Sequence, residues 1–173
     1  GDTALDATAG NGHDTLAMAR LVGPQGRILA IDLQTAAIAA TERRLKSEAP
    51  DVPCRLMEGD HGHLLAELAA ESPGSVRAMT FNLGYLPGGD PSITTAADST
   101  VAALDAASTL LAAGGTLCVT AYCGHPGGAA EAEAVATWMA SRSPAHWSVT
   151  RHDAQNASPD SRPPILWIAR KNA

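Results

Sequence analysis

Leu5-Asp6-Ala7-Thr8-Ala9-Gly10-Asn11-Gly12-His13-Asp14-Thr15 is the stretch on which the fold turns. A short apolar run over residues 3–7 is cut off by two glycines, and a helical stretch (13–22) starts straight after them. A strand, a glycine turn and a helix in that order open a parallel α/β sheet. Working outward, the alternation continues. Strand-like runs at 27–32, 54–58, 77–83 and 116–122 are each followed by a helical stretch, at 35–47, 63–70, 94–112 and 128–141. The C-terminal part breaks the rule. Runs at 147–152 and 165–170 have only a polar loop between them, too little for a crossover helix, so they must pair antiparallel at the sheet edge. The expected fold class is therefore α/β: a mostly parallel seven-stranded sheet with a C-terminal antiparallel strand pair and helices on both faces.

Composition agrees with one domain over residues 1–173. The chain is 45% hydrophobic with 16 Gly and 11 Pro, too apolar for a disordered segment. Only 3% is aromatic, so the core must be built from Ala, Leu, Val and Ile. A net charge of -6, from 18 acidic and 12 basic residues, argues against a broad grip on duplex nucleic acid. Cys54, Cys118 and Cys123 form no Cys-x-x-Cys pair and fall in strand-like segments, which predicts buried reduced thiols. No signal peptide and no apolar run near the ~18 residues of a membrane span are seen, so a cytoplasmic protein without a membrane partner is expected. The chain opens at Gly1 and enters its first strand almost at once, which suggests an upstream segment.

In an open α/β sheet, ligands bind beyond the carboxyl ends of the strands. Gly10 and Gly12 let a ligand approach the backbone there, and Asp6 is placed to accept hydrogen bonds directly or through water, with an ammonium group as its expected partner. A dinucleotide site would want a third glycine where this chain has Thr15, and Asp14 at the helix start would repel a pyrophosphate. A cofactor without phosphate, S-adenosylmethionine, suits the loop better. Asp32 ends the second strand about 20 residues further on, where a carboxylate can take both ribose hydroxyls or cap the next helix. Glu58-Gly59-Asp60-His61 ends the third strand, and Asp60 is the candidate for the adenine amino group or, again, for a cap. His61 and His63 lack the further ligands of a metal site, so no metal is expected.

The fourth strand runs into Phe81-Asn82-Leu83-Gly84-Tyr85-Leu86-Pro87-Gly88-Gly89-Asp90. An Asn three residues before a Tyr has the spacing of the Asn-Pro-Pro-Tyr motif of amine methyltransferases. The side-chain carbonyl of Asn82 and the backbone carbonyl of Leu83 can hold the two N–H bonds of a neutral amine and so aim its lone pair. Tyr85 can stack on a planar substrate. Tyr122-Cys123-Gly124-His125-Pro126-Gly127-Gly128 ends the fifth strand, where His125 reads equally well as a substrate contact or as polar surface. Arg162, in the loop 155–164, is a candidate for a phosphate.

The blocks Asp6–Thr15, Phe81–Asp90 and Tyr122-x-Gly124-His125-x-Gly127 together resemble the small bacterial methyltransferases long called rRNA-methylase-like, and Asn156–Pro164 resembles a looser fourth block. The resemblance implies a Rossmann-like class I methyltransferase. Members methylate the 5-aminomethyl group of 2-thiouridine at the tRNA wobble position, so a tRNA anticodon loop is the implied partner. It also implies cofactor contacts at Asn11, Asp32, Gln34, Asp60 and His61, and substrate contacts near Asn82, Tyr85, Tyr122 and His125. Such relatives carry a helical segment ahead of the first strand, which residues 1–173 are expected not to include. Basic residues cluster only at Arg43–Lys46 and at Arg170–Lys171, and an everted anticodon base needs few phosphate contacts. Other readings stay open at this point. These are methylation of another amine (in rRNA, DNA adenine, protein or a small molecule), a non-catalytic binding module, or a nicotinamide enzyme. A homodimer is also left open.

Overall fold

The computed structural model describes residues 1–86, 88, 89, 92–154 and 162–173. Seven strands and five helices follow the expected order. They are β1 (Thr3–Asp6), α1 (His13–Val22), β2 (Arg27–Asp32), α2 (Thr35–Glu48), β3 (Cys54–Glu58), α3 (His61–Glu71), β4 (Val76–Leu83), α4 (Ala97–Leu110), β5 (Leu111–Ala121), α5 (Gly128–Ala140), β6 (Trp147–His152) and β7 (Ile165–Lys171). The sheet order is β3-β2-β1-β4-β5-β7-β6. The first five strands pair in parallel, and β7 inserts antiparallel between β5 and β6. Such a mostly parallel sheet with an antiparallel end is the expected architecture.

Helices cover both faces, and the alternation of each strand decides which residue meets which layer. Ala4, Ile28 and Ala30 join Leu16, Ala19 and Leu45 beneath α1 and α2. Leu5, Ile31, Met79, Phe81 and Leu83 face the other way, toward Leu65, Leu104, Val135 and Met139 of α3, α4 and α5. Along β4, this period leaves Thr80 and Asn82 on the α1 side while Phe81 and Leu83 are buried on the other.

Two expectations change. Residues 111–115 extend β5 rather than end the preceding helix, with a register shift opposite Val76 and Ala78 where Gly114 and Gly115 turn the chain. The cysteines are free, as expected, but none is buried: Cys54 is exposed, and Cys118 and Cys123 are half-buried. Cys54 begins the outermost strand β3, which no neighbour covers on its far side. No helix among the described residues is long and apolar enough to cross a membrane.

Candidate active site

The strand order reverses between β1 and β4, because β2 and β3 lie on one side of β1 while β4 and β5 lie on the other. Loops leaving the carboxyl ends of these strands therefore diverge and open a crevice. The cleft there has a volume of about 1000 Å³. It is lined by Ala7–Asn11, Asp32–Gln34, Gly59–His61 and Asn82–Leu86, with Tyr122, His125 and Arg162 at its far side. Nearly every residue singled out from the sequence is thus brought to one place.

Asp6 and Gly12 are the exceptions. Neither lines the cleft. Asp6 is fully buried, with its carboxylate accepting the Thr8 N–H at 3.2 Å and the Thr15 hydroxyl at 2.6 Å. Burial pushes its carboxyl up from 3.8 to about 6, against those two hydrogen bonds and with some help from the charge of Asp14. Asp6 therefore braces the loop from behind, and direct contact with a ligand's ammonium does not fit its position. Gly12 caps α1 at φ 77 and presses on α2, where a Cβ would come 2.8 Å from the Thr41 Cα. Its lack of a side chain serves helix packing, whereas Gly10 (φ 55) faces the cleft.

Asp32 bridges the two loops beside it. One oxygen accepts the Gly10 N–H at 2.8 Å and the other the Gln34 N–H at 2.9 Å. Each carboxylate oxygen keeps a second lone pair for a ligand hydroxyl. Asp60 does cap α3, through the His63 N–H at 3.1 Å, and it also accepts the Ser99 hydroxyl at 2.5 Å. Those bonds hold its carboxyl below the ordinary value, with burial opposing. His61 is buried against Phe81, ring centroids 5.7 Å apart, and burial lowers its pKa against the opposing charge of Asp60. His63 instead lies on the surface beside Glu67, so the two histidines are not a ligand pair. Among the described residues no cluster suited to a metal occurs.

The opposite side of the cleft is built from β4 and its neighbours. The Asn82 N–H is held by the Thr8 hydroxyl at 2.7 Å, and its side-chain amide donates to Asp14 at 2.7 Å. Gly84 is clamped on both sides: its N–H reaches the Thr95 hydroxyl and its carbonyl accepts the Thr95 N–H, each at 2.9 Å. Thr95 in turn donates to the buried Glu131 at 2.7 Å, which also takes the Thr100 hydroxyl at 2.6 Å. Tyr85 (50% exposed) and Tyr122 (45%) stand at the rim. The His125 ring meets Tyr85 edge-on at 6.1 Å, its Nδ1 contacts the Pro126 carbonyl, and its Nε2 is packed against Gly84 and Gly128.

Leu33, Ile93, Ser99, Thr95 and Asp14 line the same cleft and were not expected as site residues. Leu33 and Ile93 are large apolar side chains that stay partly exposed and line the cleft, which suits the walls of a planar ligand's site. A leucine directly after the strand-ending acid was the one available signal for the first of them. Pro87, Asp90 and residues 155–161 of the expected site lie outside the described residues. The local basic clusters are largely engaged elsewhere. Arg44 donates to the Asn11 carbonyl and pairs with Glu48, Lys46 pairs with Glu42, and Lys171 caps carbonyls at the end of α4.

Residues 28–170 match the family model described as "Putative rRNA methylase". The chain belongs to this rRNA methylase family. Its relatives include a chloroplastic tRNA (mnm(5)s(2)U34)-methyltransferase of Arabidopsis thaliana, 43% identical over 78% of this chain and 52% of that protein. The chain thus spans about half the length of that curated relative. A crystal structure of a "putative rRNA-methylase" from Clostridium thermocellum superposes with a TM-score of 0.89 at 38% identity, covering 98% of this chain and 88% of the other. A Streptococcus mutans structure, "a putative methyltransferase" solved in complex with SAH, gives 0.84 at 28% identity over 99% and 89%. More distant O-methyltransferases share the fold, which is the Rossmann-like class I methyltransferase architecture.

Proposed function

We propose that this rRNA methylase family member is an S-adenosylmethionine-dependent N-methyltransferase acting on the 5-aminomethyl group of a wobble uridine in tRNA. The observation that carries the reading is the Asn82–Tyr85 segment at the end of β4. It opens into the same cleft as Asp32 and Asp60, with the Asn82 amide nitrogen tied to Asp14. Fit to the cofactor rests on charge. Asp14, Asp32 and Asp60 all line the cleft, a setting that favours a cationic ligand and opposes a pyrophosphate. S-adenosylmethionine, when bound, supplies an electrophilic methyl group on a sulfonium. Asp32 would hold the ribose hydroxyls, Asp60 and the Leu33 wall the adenine, and the backbone at Gly10 and Asn11 the amino-acid end.

On the acceptor side, Asn82 Oδ1 and the Leu83 carbonyl take the two N–H bonds of a neutral primary amine and point its lone pair at the methyl. Such positioning lowers the barrier without a strong base. Tyr85 and Tyr122 supply rings for an everted base, and Arg162 a cation near its phosphate. The Arabidopsis relative's name supports this choice of acceptor. The test is incubation with labelled S-adenosylmethionine and tRNA from cells lacking the enzyme, followed by nucleoside analysis. Label in methylaminomethyl uridine at the wobble position is expected, and Asn82→Ala should lower turnover by about 100-fold with cofactor affinity nearly intact. Label in another amine, or none in tRNA while the cofactor still binds, refutes the acceptor assignment.

A further inference from the structure

Asn82 has two chemically opposite ends. Its Oδ1 accepts hydrogen bonds and its Nδ2 donates them, and rotation about χ2 exchanges them. Only the oxygen can receive an amine N–H. A flipped carboxamide would instead aim its own N–H at the amine lone pair and block attack. The period of β4 turns Asn82 toward α1, and Asp14, in the first turn of that helix, meets its Nδ2 at 2.7 Å. The N-terminal end of a helix favours a negative charge at that place. A carboxylate is an acceptor only, so it can bind just one end of the amide.

We propose that Asp14 is a positioning residue that sets the orientation of the Asn82 amide, and with it the selectivity of this site for an N–H donor. The inference rests on the amine-methyltransferase reading above, but the contact itself does not. The contact also ties the first turn of α1 to the end of β4, so both sides of the cleft share one fixed element. It also raises the pKa of the buried Asp6.

The test is a double-mutant cycle with a spectroscopic arm. Asp14→Ala should cut kcat by about 100-fold while the affinity for S-adenosylhomocysteine changes less than about twofold. In an Asn82→Ala background the same change should cost less than about threefold more, because Asp14 acts through the amide. Asp14→Glu, which keeps the acceptor, should recover part of the rate. In the ligand-free protein, the Asn82 side-chain amide protons, identified by their loss in Asn82→Ala, should be displaced and slowed in exchange. Both features should vanish in Asp14→Ala. Independent losses that multiply in the double variant, or amide resonances that Asp14→Ala leaves unchanged, overturn the proposal. Should the parent protein methylate no amine at all, the functional reading fails alone and the amide resonances still decide the Asp14 contact.

Discussion

Replacing Asp6 with Asn should make the protein more stable relative to its parent as the pH rises. The carboxyl is fully buried and titrates near 6 in the folded chain, against 3.8 when exposed. Between those values the folded chain holds a proton that the unfolded chain has released. Unfolding free energy therefore falls as pH rises through that window. The contribution is fully present below pH 3.8 and lost once pH passes about 6. At about 1.36 kcal/mol per pH unit the whole loss is roughly 3 kcal/mol. Asn cannot ionise and escapes it. A carboxamide can still accept the Thr8 N–H and donate to the Thr15 hydroxyl oxygen, so any offset from altered hydrogen bonds is constant with pH. The assay is urea unfolding of both proteins followed by circular dichroism from about pH 3.5 to about 7.5. The variant's stability minus the parent's should climb by roughly 3 kcal/mol across that range. A difference that stays flat, or one that falls with pH, would show that Thr8 and Thr15 fully compensate the buried charge, and the argument would fail.

Gly12→Ala should destabilise the fold by roughly 2–4 kcal/mol, since a left-handed backbone strain adds to a clash with α2. Gly127→Ala is the control: its backbone is left-handed like that of Gly12 (φ 82, ψ -21) but no atom lies within 4 Å of a Cβ there, so thermal unfolding should show only the strain, about 1 kcal/mol. Equal losses at the two sites would remove the packing role of Gly12. Asp32→Ala should weaken S-adenosylhomocysteine binding by roughly 1.5–3 kcal/mol, measured by calorimetry, as the loop and ligand bonds to one carboxylate go together. Unchanged affinity would take Asp32 out of the site.

Most of this architecture was legible in the sequence because hydrophobic period and glycine placement are local signals. The strand alternation gave the sheet, and the missing crossover helix between 147–152 and 165–170 gave the antiparallel edge. Each cleft residue at a strand end followed from the rule that ligands bind there. What failed was side-chain direction and long-range pairing. Asp6 closes β1, yet alternation turns it toward α1, where Thr15 covers it, instead of into the cleft. Asp14 was read only as a charge hostile to pyrophosphate, because nothing in its neighbourhood announces a partner 68 positions away. Glu131, inside the helical stretch 128–141, carries no signal of its own for the same reason. Its role appears only when α5 packs beside the segment carrying Thr95 and Thr100.

The carboxylates of this region share a mode of support that bears on the ligand. Asp6 is held by Thr8 and Thr15, Asp32 by the Gly10 and Gln34 amides, Asp60 by His63 N–H and Ser99, and Glu131 by Thr95 and Thr100. Hydroxyls and backbone amides satisfy the oxygens, and among the described residues none of these four acids pairs with a Lys or Arg. The ion pairs formed, such as Arg20–Glu48, Lys46–Glu42 and Arg151–Asp153, involve other acids. Neutral donors stabilise a carboxylate without cancelling its field at a distance. Asp32 and Asp60, the two of these four that line the cleft, therefore keep its walls at negative potential, and a ligand with a positive sulfur and an ammonium meets it favourably. A polyphosphate would not. On the proposed reading, the same field opposes a backbone of phosphates, and an RNA acceptor enters as a single everted base on Tyr85 and Tyr122 with its phosphates toward Arg162. That reading reconciles the acidity of the chain with a nucleic-acid acceptor, because a substrate delivered one nucleotide at a time brings few phosphates into the field.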